Sequence, residues 1–153
     1  MNAIEQLTER VKKVRDNLEG NTYLVAILKD NDAYIADMNA QDQLFEQGIN
    51  ANGVSISDYA PYSPLTIEYK MAMGQPYDRV TLRDTGDFHA GFTLQYSPKA
   101  FTITSTDWKT QMLMKKYGRD IFGLTASNKD ELRWEYIYPD LLNKIKITLT
   151  DGN

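Results

Sequence analysis

The N-terminal segment has the clearest hydrophobic periodicity in the chain. Apolar residues recur there at alternating spacings of three and four, which places them along one stripe of a helix. The stripe consists of Ile4, Leu7, Val11, Val14 and Leu18. The pattern predicts an amphipathic helix over residues 1–19, ended by Gly20, whose stripe packs on the rest of the domain or on a neighbouring subunit.

The next apolar segments do not distinguish clearly between helix and strand. The run "TYLVAILK" (22–29) suits a strand or two helical turns, and "DAYIADM" could extend it as a strand. Further on, we expect Asn39 to cap a short helix that ends at Gly48. The alternation of Val54 and Ile56 then predicts a short strand.

The middle of the chain contains a clear helix start and a clear change in the spacing of apolar residues. Ser63 before Pro64 predicts the beginning of a helix that ends at Gly74. From Val80 the period changes to two, and after the triplet at 84–86 the alternate apolar positions are Phe88, Ala90, Phe92, Leu94 and Tyr96. Together with "FTITST" they predict a β-hairpin of about 88–96 and 101–106.

The last third of the chain is again helical in pattern. Asp107 is expected to cap one helix, and a second, from Asp130 to Tyr138, is expected to be interrupted by Pro139. The sum is an α+β fold: a small antiparallel sheet with a central hairpin, packed by several helices. We expect one domain over 1–153, made of the helix 1–19 and an α+β body over 20–150.

Composition narrows the functional classes. The chain has 153 residues, no cysteine and a formal charge of −4. No disulfide or cysteine metal site can form, no apolar run is long enough for a membrane span, and we expect a soluble protein made in a cytoplasm. The acidic balance argues against specific nucleic-acid binding through phosphate neutralisation. Ten tyrosines favour contacts between subunits.

The triplet Asp84-Thr85-Gly86 is the sharpest candidate for catalysis, because aspartic proteases carry their carboxylate in such a triplet. A chain of this length would have to act as a retropepsin-like homodimer that pairs two copies of Asp84. Arg83 and Asp87 put further charges on a loop that would have to pack closely. We therefore favour a turn at this position and keep the protease as an alternative.

A metal site is the other candidate. Asp87 and His89 would share a strand face, but zinc needs three or four protein ligands and His89 is the only histidine. The stretch "KDNDAY" (29–34) lacks the glycine and glutamate of a calcium loop. We predict no catalytic residue, no cofactor and no metal ion, and a solvent-facing His89 on a strand.

Three stretches resemble the phage virion-morphogenesis family, the Mu-type tail-completion group. "GINANGVSISDYAPYSPLTIEYKMAMGQP" resembles the family segment in which a glycine turn precedes "pLSpxTxxxK"; the matching residues are Gly53, Tyr62, Ser63, Pro64, Thr66 and Lys70. "VTLRDTGDFHAGF" is similar to "LxdTGxLxxSi" through Leu82, Asp84, Thr85, Gly86 and Phe88. "DIFGLTASNKDEL" is similar to the closing "FLGLsxeD" through Phe122, Gly123, Leu124, Thr125 and Asp130. The style of "QLFEQGIN" and "GQPYDRVTL" resembles proteins of phages that infect Bacteroidetes.

The resemblance implies a structural subunit of a phage neck or tail, made in the bacterial cytoplasm and carried in the virion. Such subunits form a homo-oligomeric ring that completes the tail or acts as a head–tail connector beside other neck, connector or tail-tube proteins. The stripe from Ile4 to Leu18 would then lie at a subunit interface. A non-virion assembly chaperone is a further alternative. Because the chain is acidic, we also expect Asp30, Asp32 and Asp37 to face a lumen through which DNA passes.

Overall fold

The computed structural model describes residues 1–97 and 99–152. The chain is mostly helical and carries one two-stranded antiparallel sheet, so the predicted α+β class is confirmed. Within the described ranges, no helix combines the length and apolar character that crossing a bilayer requires.

The helices and strands follow one another with short connections. They are α1 Ala3–Glu19, α2 Thr22–Asp30, α3 Asp32–Asp37, a first π-helical segment Met38–Gln47, α4 Ile56–Tyr59, α5 Pro64–Ala72, α6 Asp87–Ala90, β1 Phe92–Tyr96, β2 Phe101–Ser105, α7 Thr110–Tyr117, a 3₁₀ turn Arg119–Ile121, α8 Ala126–Glu131, a second π-helical segment Leu132–Ile137 and α9 Tyr138–Asp151.

The chain divides into two compact units. The terminal unit comprises the described parts of Met1–Asp32, Tyr96–Ala100 and Asp130–Asn153, and the central unit comprises Ala33–Gln95 and Phe101–Lys129. The expectation of a single domain stays a prediction.

In the terminal unit, α1 packs against α2 and α9. Its first turn is fixed by a capping box, in which the Asn2 side chain accepts from the Glu5 N–H and the Glu5 side chain accepts from the Asn2 N–H. Arg10 donates to the carbonyl of Thr150 at 2.6 Å, and Lys13 donates to that of Gly152 at 2.7 Å. Two cations of α1 therefore cap the last carbonyls of α9, where the helix dipole favours positive charge.

Two tyrosine hydroxyl groups make further hydrogen bonds within this unit. Tyr23 of α2 donates to the Thr148 hydroxyl of α9 at 2.7 Å, and both side chains are buried. The Tyr96 hydroxyl donates to the Leu28 carbonyl at 3.2 Å and lies 3.4 Å from an Asp32 oxygen. Burial and the nearby Asp32 raise the pKa of Tyr96 to about 12, so this hydroxyl keeps its proton.

The central unit is organised around one apolar cluster. Its buried members are Leu44, Ile56, Val80, Leu82, Phe88, Tyr117 and Ile121. Phe88 packs edge-on against Phe92 with ring centroids 5.1 Å apart, and Phe122 lies 5.1 Å from Phe92. This aromatic group joins α6, β1 and the segment after the 3₁₀ turn.

The predicted hairpin is present, but its first strand begins four residues later than expected. Residues Asp87–Ala90 form the short helix α6, and β1 starts at Phe92. Gly86, at φ 97°, begins the helical turn, and a side chain at Gly91 would come within 2.6 Å of the Ser105 hydroxyl. Phe88 and Phe92 lie four apart, a spacing that suits a helical turn as well as alternation.

Several other local expectations were wrong. "DAYIADM" is helical, and Asn39 lies inside the first π-helical segment and does not cap it, although Gly48 ends the helix as expected. Ile56 begins α4, and Ser55 pairs with Ile49 only as an isolated bridge. Pro139 sits in the first turn of α9 without interrupting it, directly after the widened π turns.

Candidate functional site

The residues that carry the resemblance meet in the central unit, where α5 packs on the segment 79–86. We call this contact the motif junction. Ser63 caps α5 by accepting from the Thr66 N–H at 3.2 Å, with Pro64 in the first turn, as predicted. The helix then directs Lys70 inward, where only 5% of the residue remains exposed. A lysine is rarely buried to this extent unless its ammonium group is fully paired.

Lys70 is held by three groups of the junction. Its Nζ donates to the Arg83 carbonyl at 2.8 Å and to Gln75 Oε1 at 3.0 Å. It also lies 5.1 Å from the centre of the Tyr62 ring, within range of a cation–π contact. The ammonium group therefore ties α5 to the backbone just before Asp84.

The Tyr62 hydroxyl makes a second link. It accepts from the Thr81 N–H at 3.0 Å and lies 3.3 Å from the Thr81 hydroxyl. Thr81 is fully buried and is followed by Leu82, whose φ of 54° is unusual for a residue with a side chain. In the described part of the chain this segment has no strand partner. Tyr62 pairs with its Thr81 N–H and Lys70 with its Arg83 carbonyl instead.

Asp84 lies on the exposed turn at the edge of the junction. Its carboxylate accepts from the Tyr69 hydroxyl at 3.3 Å, and its carbonyl accepts from Gln75 Nε2 at 3.2 Å. Thr85 donates to the Asp87 carboxylate at 2.7 Å, and Gly86 adopts the positive φ of the turn. These contacts give the triplet a structural role in starting α6.

His89 differs from its prediction as a solvent-facing strand residue. It lies in α6, half-buried, with Nε2 at 2.9 Å from the Thr81 carbonyl. Since a carbonyl only accepts, Nε2 carries the proton in this contact. Burial, and secondarily the nearby Arg83 charge, lower the pKa of His89 to about 4 against the upward effect of the Thr81 bond. The imidazole is therefore neutral at pH 7.

The second group of motif residues, around Phe122 and Gly123, is fixed by two buried amides of the first π-helical segment. Asn39 donates to the Ile121 carbonyl at 3.0 Å and accepts from the Gly123 N–H at 2.8 Å. Gln43 donates to the Gly123 carbonyl and accepts from the Thr125 N–H, both at 2.8 Å. Two amide side chains, one helical turn apart, thus donate to and accept from the backbone of residues 121–125, as the backbone of a neighbouring strand would.

Sequence reasoning missed these two amides. Asn39 and Gln43 are fully buried, yet polar residues in a helical pattern ordinarily indicate its solvent face. Their spacing of four was the available signal, because it places them on one side of a helix.

Gly53 lies apart from both groups, in a surface turn with φ 75°. The Asn50 side chain closes this turn by accepting from the N–H groups of Asn52 and Val54. The Ala51 N–H donates to the Asp120 carbonyl at 2.7 Å, so the turn is tied to the 3₁₀ segment.

The site is thus a hydrogen-bonded junction built by residues that resemble the family motif. In the described part of the chain, no three side chains among His, Cys, Asp and Glu are grouped as metal ligands would be. Every buried side-chain nitrogen or oxygen atom in that part has a hydrogen-bond partner. The contacts of these motif residues serve to hold turns and helix ends in place.

The outward side of α5 is apolar. While Lys70 points inward, Leu65 is 75% exposed, Met73 58% and Tyr69 49%. These residues are four apart and form one stripe along the helix. A helix that buries a lysine and exposes such a stripe reverses the usual arrangement of a surface helix.

The predicted stripe of α1 is also open to solvent. Ile4 is 78% exposed, Leu7 54% and Val11 52%, whereas Val14 is half-buried. Leu18 is 43% exposed. Packing of α1 on its own unit therefore leaves most of the stripe uncovered.

Comparison with family models, with curated proteins and with solved structures found no match for this chain. The motif resemblance stays a prediction that rests on the residues quoted for it.

Proposed function

We propose that the chain is a structural subunit of a bacteriophage neck or tail, which forms an oligomeric ring that completes the tail or joins it to the head. The observation that carries this proposal is the pair of apolar stripes on α1 and α5. Monomeric soluble proteins rarely expose contiguous apolar patches of more than roughly a few hundred Å², and such patches mark sites that bind proteins, membranes or ligands.

The motif junction supports the same proposal in a different way. Its polar groups are used in holding α5 against the segment 79–86, as the bonds of Lys70 and Asp84 illustrate. An α5 that is held by these bonds and has an apolar outer face suits a subunit that must present a fixed surface to its neighbours.

Peptide mass spectrometry of purified virions tests the proposal. We expect peptides of this chain at a constant ratio to the major capsid protein through successive gradient purifications. An abundant host protein followed through the same gradients serves as the contamination control. A chain detected in infected cells but absent from purified virions would instead be an assembly chaperone, and the structural role would be refuted.

Mass photometry of the purified chain, alone and with its neighbouring virion proteins, gives the second measurement. We expect a discrete oligomer in at least one of these mixtures. A monomer in every mixture would contradict the ring.

A further inference from the structure

The terminal unit carries a second exposed apolar stripe besides that of α1. Trp134 is 59% exposed, Leu142 49% and Tyr138 48%, and the three are spaced four apart across the second π-helical segment and α9. The rings of Trp134 and Tyr138 pack at 5.7 Å. We call these three residues the C-terminal stripe. Exposed, mutually supported aromatic side chains are typical of the anchor residues of protein interfaces.

The α1 stripe is available because α1 packs through a neighbouring side. Its half-buried positions are Arg10, Val14 and Asn17, spaced four and three apart. At about 100° per residue, the centre of that covered side lies roughly 80° around the helix from the line through Ile4, Leu7 and Val11. The terminal unit thus keeps most of its α1 stripe exposed while α1 itself is firmly attached.

The charges beside the two stripes are of opposite sign. Residues 10–15 of α1 contain four basic residues. Arg10 and Lys13 cap α9, which leaves Lys12 and Arg15 exposed, and Arg15 also pairs with the neighbouring Asp16 at 2.8 Å. Residues 130–135 contain three acidic residues and one basic, a formal charge of −2. Arg15 lies three residues before Leu18, and Glu135 lies three before Tyr138, so each charge borders its stripe.

These charges favour contact of the α1 stripe with the C-terminal stripe over contact of two α1 stripes with each other. If α1 paired with α1 of a second copy around a twofold axis through its middle, the exposed Lys12 and Arg15 of each copy would lie close to those of the other. Like charges brought together at an interface oppose association, whereas the acidic border of the C-terminal stripe complements them.

Building on the proposed ring, we propose that the α1 stripe of one copy binds the C-terminal stripe of the next copy. Such a contact is heterologous, because each copy contributes two different surfaces. Repetition of one heterologous contact generates a ring when the rotation between copies closes. The partner at both stripes is therefore another copy of this chain.

Mixing two variants tests the contact directly. Leu7→Asp disables the α1 stripe, and Trp134→Asp disables the C-terminal stripe. Each variant alone is expected to be monomeric, whereas an equimolar mixture is expected to give one-to-one dimers and nothing larger, since one intact stripe of each kind remains. Sedimentation velocity distinguishes monomers, dimers and larger oligomers. At protein concentrations up to about 100 µM it also detects weak association, with dissociation constants of up to about that concentration. Both side chains are exposed, and circular dichroism melts check that both variants fold.

Three outcomes would overturn the contact. A mixture that stays monomeric while the native chain associates indicates a different interface. Variants that associate as the native chain does show that the two stripes are not used, while leaving the proposed ring in place. A native chain that is monomeric at every concentration removes the contact, and the virion measurement then decides separately whether the structural function survives.

Charge exchange tests the polarity of the same contact. Arg15→Glu is expected to weaken association at least tenfold, and adding Glu135→Arg is expected to restore most of it. Glu9→Arg, on an exposed position of α1 away from the stripe, is the matched control and is expected to give no rescue of Arg15→Glu. Equal rescue by both second changes would contradict the proposed pairing.

Discussion

A single imidazole makes the acid response of the central unit measurable. Because the folded pKa of His89, about 4, lies below its ordinary value of 6.5, the unfolded chain takes up this proton first as the pH falls. The stabilisation is complete above about pH 6.5 and is lost progressively down to pH 4. We expect a loss on the order of 2–3 kcal/mol in the free energy of unfolding between pH 7.5 and 4.5 from this residue.

Two measurements check the expectation for His89. Because the chain has one histidine, its ring resonance gives the pKa by NMR without assignment ambiguity. Urea unfolding at both pH values should show a smaller pH dependence for His89→Gln, whose amide can still donate to Thr81. A ring pKa near 6.5, or equal pH dependence of the two proteins, would show that His89 is solvated.

Lys70 gives a second prediction at this scale. Lys70→Met keeps the length of the side chain and leaves the Arg83 carbonyl and Gln75 without their donor. We expect a loss of about 1–3 kcal/mol in the free energy of unfolding. Lys115→Met in α7 is the matched control, since Lys115 is exposed, and should change it by less than about 0.5 kcal/mol. Equal effects of the two changes would mean that the Lys70 ammonium group reaches water.

At the scale of the helices and strands, the first π-helical segment decides how the motif around Gly123 is held. Gln43→Leu removes the partners of the Gly123 carbonyl and the Thr125 N–H. We expect a loss of about 2–4 kcal/mol in the free energy of unfolding, because buried polar groups remain unpaired. Gln47→Leu, at the exposed end of the same segment, should be close to neutral. Urea denaturation followed by circular dichroism compares them; a neutral Gln43→Leu would contradict the amide pairing.

The sequence correctly predicted the helices whose ends are marked by a capping residue, a proline or a glycine. The Ser63 cap and Pro64 fixed the beginning of α5, and Gly20 followed α1 as expected. From Val80 the alternation indicated a period of two, yet residues 80–83 form no strand and, among the described residues, have no strand partner. The Thr81 N–H is bonded to Tyr62 and the Arg83 carbonyl to Lys70, and these two partners are distant in sequence and give no local signal.

The candidate site was predictable as a set of residues but not as a contact. The motif positions Tyr62, Lys70 and Asp84 were identified from the sequence, whereas the inward direction of Lys70 and the outward stripe of α5 were not. A lysine at a helical position ordinarily indicates solvent, and leucine or methionine indicates core. That rule fails on α5 because the packing of the central unit determines which side of the helix is covered.

For the whole molecule, net charge yields the remaining prediction. The chain carries 17 basic and 21 acidic residues, and Asp30 and Asp37 are exposed while Asp32 contacts Tyr96. Binding to duplex DNA draws most of its affinity from neutralised phosphates, so an acidic subunit that surrounds DNA should not adhere to it. At 150 mM salt we expect no binding to a labelled duplex tighter than about 10⁻⁴ M, the weak end of non-specific affinities.

Fluorescence anisotropy of the labelled duplex, measured with the chain in its oligomeric form at 50 and 150 mM salt, checks this expectation. Replacing Asp30 and Asp37 by lysine raises the formal charge by four per chain, from −4 to 0. If these positions face the lumen, the variant ring should gain salt-sensitive DNA binding, because lysines placed beside the duplex displace condensed counterions.

Asp130→Lys with Asp140→Lys is the matched control. It makes the same change in charge at other exposed sites and should gain less DNA binding. Micromolar binding by the native ring would instead indicate a basic lumen, and equal gains by both variants would indicate that Asp30 and Asp37 have no special position.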